Sequence, residues 1–249
     1  MKKFSIVIVL FLVLNACEKP SDCVESSGLT ITKEIAVQPF KRIKVYRGIE
    51  VVITQGSEYK VAVVAGSNFI DNVEVRQNGD QLIFKDEVSC NWVRAYGNTK
   101  ILVTTPILQE IYSKTDRDIS SNGVWTFPNL TITAFDKEAD GESGAATGDF
   151  IINLNNDVLT INNNNVSRFY LSGQTNTANF NFYFGDGRIE AENLTAQNIV
   201  VYHRGSNDMI VKPIQSITGT MNSTGNIVLK NVPPIVAVDE LYQGSVVYP

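Results

Sequence analysis

Gly148-Asp149-Phe150-Ile151-Ile152 opens a pattern that returns at Ser167-Arg168-Phe169-Tyr170-Leu171, Gly187-Arg188-Ile189-Glu190-Ala191, Ser206-Asn207-Asp208-Met209-Ile210 and Gly225-Asn226-Ile227-Val228-Leu229. The first residues of these segments stand 19, 20, 19 and 19 positions apart. Each joins a small polar turn to a short alternating apolar run. A fixed period of this size is the mark of a chain built from stacked repeats. Within each repeat, Phe150/Ile152, Phe169/Leu171, Ile189/Ala191, Met209/Val211 and Ile227/Leu229 should point one way. Asn153, Ser172, Glu190, Glu192, Lys212 and Lys230 should face water.

A second series lies between these runs: Leu159/Ile161, Phe180/Phe182, Ile199/Val201 and Ile217/Met221. Two strands and about 20 residues per repeat predict an all-β, right-handed parallel β-helix-like solenoid, its repeats stacked about 4.8 Å apart. Phe180, Phe182 and Phe184 would stack as inward ladders. The run Asn162 to Asn165 reads as turn chemistry, since asparagine tolerates left-handed dihedrals and its amides can stack between repeats. Val, Ile, Thr, Phe and Tyr dominate the apolar runs throughout, and no amphipathic helical period appears after the N-terminus.

Outward from this half, residues 34–110 form an N-terminal β region that is either a separate sandwich or the first repeats. Asn78-Gly79-Asp80, between Val73-Glu74-Val75 and Leu82-Ile83-Phe84, is a strong hairpin signal. Ile101-Leu102-Val103-Thr104-Thr105 ends at Pro106, which suits a strand end because proline cannot donate to the ladder. Residues 17–33 read as a polar tether, and residues 111–249 as the repeat region, so that 34–249 forms one domain.

The first residues carry an address. Lys2 and Lys3 precede an apolar stretch from Phe4 to Leu14, whose 11 residues are too few for a membrane span of roughly 20. Leu14-Asn15-Ala16-Cys17 closes it and resembles a bacterial lipobox, so residues 1–16 are expected to be removed as a lipoprotein signal peptide. Cys17 would then carry the lipid, and several acyl chains at about 0.8 kcal/mol per buried CH₂ hold a stable anchor. Losing Lys2 and Lys3 takes the net charge from −5 to −7. An acidic chain without a basic stripe repels nucleic acid. Cys23 and Cys90 remain as a candidate disulfide in a compartment that permits one. With a single histidine and no C-x-x-C, the sequence suggests neither a metal site nor a cofactor.

Phe40…Ile43-x-Val45, Val51-x-Ile53-x-Gln55-Gly56 and Val61-x-Val63 form an ordered opening. Gly79-Asp80-x-Leu82-x-Phe84 and Ile101-x-Val103-x-x-Pro106-x-Leu108-x-x-Ile111 continue it. In this order and spacing the chain resembles the putative auto-transporter adhesin, head GIN domain family, common in lipoproteins of Bacteroidetes. The family's Ser-Gly-Ser-Gly-Asp-Ile-like turns are degenerate here, at Ser113 to Ile119, Ala146 to Phe150, Gly185 to Ile189 and Ser223 to Ile227. The resemblance covers residues 34–249 and implies an adhesive, non-enzymatic role at the outer membrane. No segment reads as the ten-residue alternating strands of a membrane barrel, so the lipid at Cys17 is the expected anchor.

Catalytic constellations are sparse. His203, in Val201-Tyr202-His203-Arg204-Gly205, reads as an exposed turn residue, and there is no G-x-S-x-G. Asp116, Asp118 and the series Asp136, Glu138, Asp140 and Glu142 are the acidic candidates for lyase or glycosidase chemistry. They read first as turn and loop acids. For binding, alternation turns Asn179, Asn181, Tyr183, Tyr202, Thr218 and Thr220 outward as a neutral, partly aromatic face suited to sugars. Trp92 and Tyr96 form a second patch, or a cap over an open sheet end. The expected function is a lipid-anchored envelope protein with an adhesin-type recognition domain; a carbohydrate-binding or polysaccharide-processing protein is the alternative. Partners would be the membrane, through the lipid, and glycans or other envelope proteins.

Overall fold

The computed structural model describes residues 26–86, 99–136 and 144–249. Cys17, Cys23, Cys90, Trp92, Tyr96, Glu138, Asp140 and Glu142 lie outside them. The described chain is all-β, a single sheet of 17 strands whose additional pairings turn it back on itself. One three-residue 3₁₀ turn, Ile70–Asn72, is its helical content.

Four long strands carry the repeat: β11 (Phe150–Asn163), β12 (Arg168–Phe182), β13 (Arg188–His203) and β14 (Met209–Met221). Each pairs parallel with the next, and Phe150, Phe169, Ile189 and Met209 fall opposite one another. The column continues through Ile227 of β15 (Ile227–Leu229) to Val246 of β17 (Val246–Val247). All five predicted inward pairs are buried, from Phe150/Ile152 to Ile227/Leu229. Phe150 and Phe169 stack face to face with centroids 4.7 Å apart and planes 8° from parallel. A parallel ladder holds side chains of equal phase directly above one another, so a sequence period becomes a stack of rings.

The same strands join two ladders. Their first halves pair towards β9 (Ile119–Asn122), then β3 (Ile49–Gln55) and β7 (Thr99–Thr105). Their second halves pair towards β10 (Asn129–Ala134), then β8 (Glu110–Ser113), β2 (Arg42–Val45) and β6 (Gln81–Asp86). The inward residues Leu82, Ile43, Ile111, Ile132, Ile161, Phe180 and Val201 line up in this second ladder. One hydrophobic core therefore runs from Phe40 to Leu229. The N-terminal β region and the repeats share it.

The two strands expected in each repeat run on as one strand. Backbone pairing persists through the bend, where Leu154 faces Gly173 and Gly173 faces Leu194. The bend is absorbed by register shifts between Tyr170 and Ser172 and between Glu190 and Thr195. Gly173 has φ +101°, and a Cβ there would sit 2.0 Å from the Leu154 carbonyl oxygen. Only glycine fits both demands. Phe184, expected inside, is 57% exposed because β12 ends at Phe182 and the chain turns at Gly185, leaving Phe180 and Phe182 as the buried pair.

The N-terminal end is covered by antiparallel strands. β1 (Thr30–Ile35) pairs with β4 (Lys60–Gly66), which pairs with β7. β5 (Val73–Asn78) forms the predicted hairpin with β6 through Gly79, at φ +60°. At the other end, β16 (Ile235–Glu240) pairs with β14, and β17 pairs with β15.

Replacing Gly173 by alanine should force the Leu154 strand aside and cost about 2–4 kcal/mol. The expected result is a fall in Tm of roughly 5–10 °C, read by thermal denaturation followed by far-UV circular dichroism. An unchanged Tm would show that the bend is not built on this contact.

Candidate functional site

The outward side chains of the second ladder follow from the same register. Thr160, Asn179, Val200, Thr218 and Ala237 form one row. Thr133, Asn162, Asn181, Tyr202, Thr220 and Asp239 form the next. Beyond the strand ends, backbone bonds continue the ladder: Tyr183 N–H to Asn163 O, Arg204 N–H to Phe182 O, and Asn222 N–H to His203 O. A third row therefore places Tyr183, Arg204 and Asn222 side by side. The structure brings all six predicted residues onto one face. Asn179, Asn181, Thr218 and Thr220 are half-buried, and Tyr183 and Tyr202 are exposed.

The face is pre-ordered by its own amides. Asn179 Nδ2 donates to Thr160 Oγ1 at 3.2 Å, Asn181 Nδ2 to Asn162 Oδ1 at 3.1 Å, and Asn162 Nδ2 to Thr133 Oγ1 at 3.4 Å. These bonds run between neighbouring strands and hold the side chains in fixed orientations. Tyr183 and Tyr202 have ring centroids 5.7 Å apart, tilted by 51°. Phe135, which the sequence reading passed over, meets Tyr183 edge-on at 5.7 Å, and Tyr112 meets Phe135 at 6.4 Å. Buried Tyr112 and the more exposed Phe135, Tyr183 and Tyr202 thus form a run of ring contacts along this side of the sheet. Phe135 continues the alternation of Leu130, Ile132 and Ala134 outward, so parity gives its side of the sheet, while its ring neighbours are visible only through the pairing.

The acidic candidates among the described residues serve the turns. Asp116 Oδ1 accepts from Gly48 N at 2.8 Å, and Asp118 Oδ1 accepts from Asp149 N at 3.2 Å. Asp149 Oδ1 in turn accepts from Arg168 N at 3.1 Å, and Asp208 Oδ1 from Asn226 N at 2.9 Å. Each carboxylate or amide thereby holds the turn of the neighbouring repeat. Burial pushes the Asp149 carboxyl above the usual carboxylate range, against the opposing bond from Arg168 N–H, and the Asp118 charge adds to the rise. Asp136 accepts from the Asn165 side chain. Asn165 Nδ2 and the Asn163 side chain also bond turn backbone, as expected for turn asparagines.

His203 is fully buried, contrary to the expectation of an exposed turn histidine. Strand β13 extends to it, and alternation from Val201 turns it inward in line with Asn163 and Phe182. Its ring meets Phe182 edge-on at 6.2 Å. Gly205 N–H donates to Nδ1 at 3.4 Å, which leaves the ring proton on Nε2, buried without a hydrogen-bond partner among the described residues. Burial lowers its pKa from 6.5 to about 4, opposed first by the Asn207 backbone and then by the Asp208 charge. A buried neutral imidazole packed on a ring is a structural part of the core.

The arrangement defines a class of protein: a rigid all-β scaffold presenting a flat, in-register face of tyrosines, amides and hydroxyls. The chain belongs to the family described as "Putative auto-transporter adhesin, head GIN domain", which it matches over residues 39–233. Among solved structures it is similar to a "putative adhesin" from Bacteroides fragilis, with 23% identity, a TM-score of 0.77 and coverage of 89% of this chain and 97% of that one. A "putative adhesin" from Parabacteroides distasonis is similar at 15% identity and a TM-score of 0.65, covering 91% of this chain and 99% of that one. A "putative lipid binding protein" from the same species is similar at 18% identity and a TM-score of 0.61, with 89% and 97% covered. At these identities the likeness is one of fold. No curated protein matches the chain.

The depressed His203 pKa has a signed consequence. Above about pH 6.5 both folded and unfolded chains hold it neutral; between about 6.5 and 4 the unfolded chain takes up a proton that the folded chain refuses. Stability should therefore fall across that window, by roughly 3 kcal/mol in all. Urea denaturation at a series of pH values should show a shallower acid slope, by about 1.4 kcal/mol per pH unit at most, in His203→Asn. Parallel profiles for the two proteins would exclude the histidine as the cause.

Proposed function

We propose that this chain is a lipid-anchored, non-catalytic adhesin-type protein of the outer membrane. In this reading a right-handed parallel β-helix displays the Tyr183/Tyr202 face to ligands outside the cell. The parallel register of β11 to β14, with equivalent residues opposite one another, supports the β-helix. The lipobox ending at Cys17 supports the anchor. Among the described residues no helix is long and apolar enough to cross a membrane, which neither requires nor opposes a lipid.

The observation that carries the recognition role is the face itself. Exposed aromatic rings beside orientated amides and hydroxyls supply flat apolar area together with fixed hydrogen-bonding groups, the combination a binding surface needs. A glycan is the ligand class that uses both, since its rings offer C–H faces to aromatics and hydroxyls to amides. Polysaccharide cleavage is the competing reading, and it rests on Asp118 and Asp149, the latter's pKa raised by burial first and by the Asp118 charge second. One oxygen of each, Oδ1, already accepts a backbone N–H.

Four outcomes test the proposal. Cys17→Ala should abolish incorporation of a labelled fatty acid and release the protein from the membrane fraction. Protease treatment of intact cells should degrade the wild-type chain; full protection would place it on the periplasmic side. On a glycan array, Tyr183→Ala combined with Tyr202→Ala should remove binding while leaving the circular dichroism spectrum unchanged. Turnover of acidic polysaccharides by the purified wild type, lost in Asp149→Asn, would replace adhesion with catalysis.

A further inference from the structure

The face carries a cation that the neutral description leaves out. Arg204 is exposed and follows Tyr202 by two residues, so both side chains emerge on the same side of the sheet. Its backbone bond to Phe182 O sets it between Tyr183 and Asn222 in the outermost row. Arg188, by contrast, is engaged: it holds Glu190 at 2.6 Å and Asp208 at 3.4 Å. The Arg204 guanidinium has no ion pair or side-chain hydrogen bond among the described residues.

Arg204 borders an open hollow of about 460 Å³ formed between successive turns. Ser206, Asn222, Thr224 and Tyr242 line it with hydroxyls, an amide and a ring that is 61% exposed. The one carboxylate in its wall, Asp186, accepts from Ser206 Oγ at 2.7 Å and does not pair with Arg204. The hollow thus offers a free planar cation and several neutral hydrogen-bonding groups. It continues the Tyr183/Tyr202 ridge through Arg204 itself.

We propose that this hollow is a subsite for a carboxylate-bearing sugar of an acidic glycan, with Arg204 as the residue that selects for charge. The inference rests on the recognition face proposed above and names its ligand class. A guanidinium presents a rigid fork of donors that matches a carboxylate in two parallel hydrogen bonds, and a partly screened wall strengthens such a pair. Neighbouring sugars of the chain would lie along Tyr202 and Tyr183.

Isothermal titration of the chain from residue 17 onward uses polygalacturonate, its fully methyl-esterified form and neutral galactan as probes. Binding is expected for polygalacturonate, weakened at least about tenfold by esterification or by Arg204→Gln, with Arg204→Lys retaining part of it. Thermal melts check that the exposed substitution leaves the fold intact. Equal binding of the acid and the ester, or binding insensitive to Arg204→Gln but lost in the tyrosine variants, overturns charge selection and leaves the face standing. Failure of all three polysaccharides to bind overturns the subsite. Surface display is read separately by protease treatment of cells, so the two ideas fail independently.

Discussion

In-register parallel pairing of strands β11 to β14 is the constraint on which the rest of this molecule depends. Parallel backbone bonds align residues of equal phase, so one apolar position per repeat becomes a column through the whole protein. Phe150 on Phe169 on Ile189 on Met209 is that column in the first ladder, and Ile161, Phe180 and Val201 form its counterpart in the second. A slip of one residue would turn every such side chain to water and every asparagine and tyrosine of the outer rows into the core. The core and the outer face are therefore two consequences of one register, and neither can change without the other.

Small polar side chains guard that register at the corners. Asp118, Asp149 and Asp208 each accept a backbone N–H from a neighbouring repeat, and Ser167 Oγ donates to the Ala146 carbonyl. These bonds satisfy turn backbone that the ladders leave unpaired. They also explain why the turns tolerate such varied sequence: an Asp, Asn or Ser at the right position suffices. Trp125 does similar work inside, where its indole N–H donates to the Ile53 carbonyl at 3.0 Å and ties the repeat region to β3.

The repeat was legible in the sequence because its cause is local. Alternation and a period near 20 residues assign Phe150/Ile152 through Ile227/Leu229 to the interior without any knowledge of neighbours. The outward placement of Asn179, Asn181, Tyr183 and Tyr202 follows by the same parity. His203 and Phe184 were misread where parity meets a strand end: β13 keeps its alternation to His203, while β12 gives it up after Phe182. Where a strand stops depends on how many backbone partners its neighbours offer, and that is not encoded within the strand itself.

The sequence alone determined the all-β class, the repeat length, the inside and outside of each strand and the family to which the chain belongs. Tertiary structure decided that the N-terminal region and the repeats share one core, that two strands per repeat merge into one bent strand at Gly173, and that Phe135 and Arg204 join Tyr183 and Tyr202 on one face. The physical reason is the range of the interactions. Side-chain parity is set by each strand's own pleat, whereas the company a side chain keeps is set by hydrogen bonds to strands some 20 residues away or more.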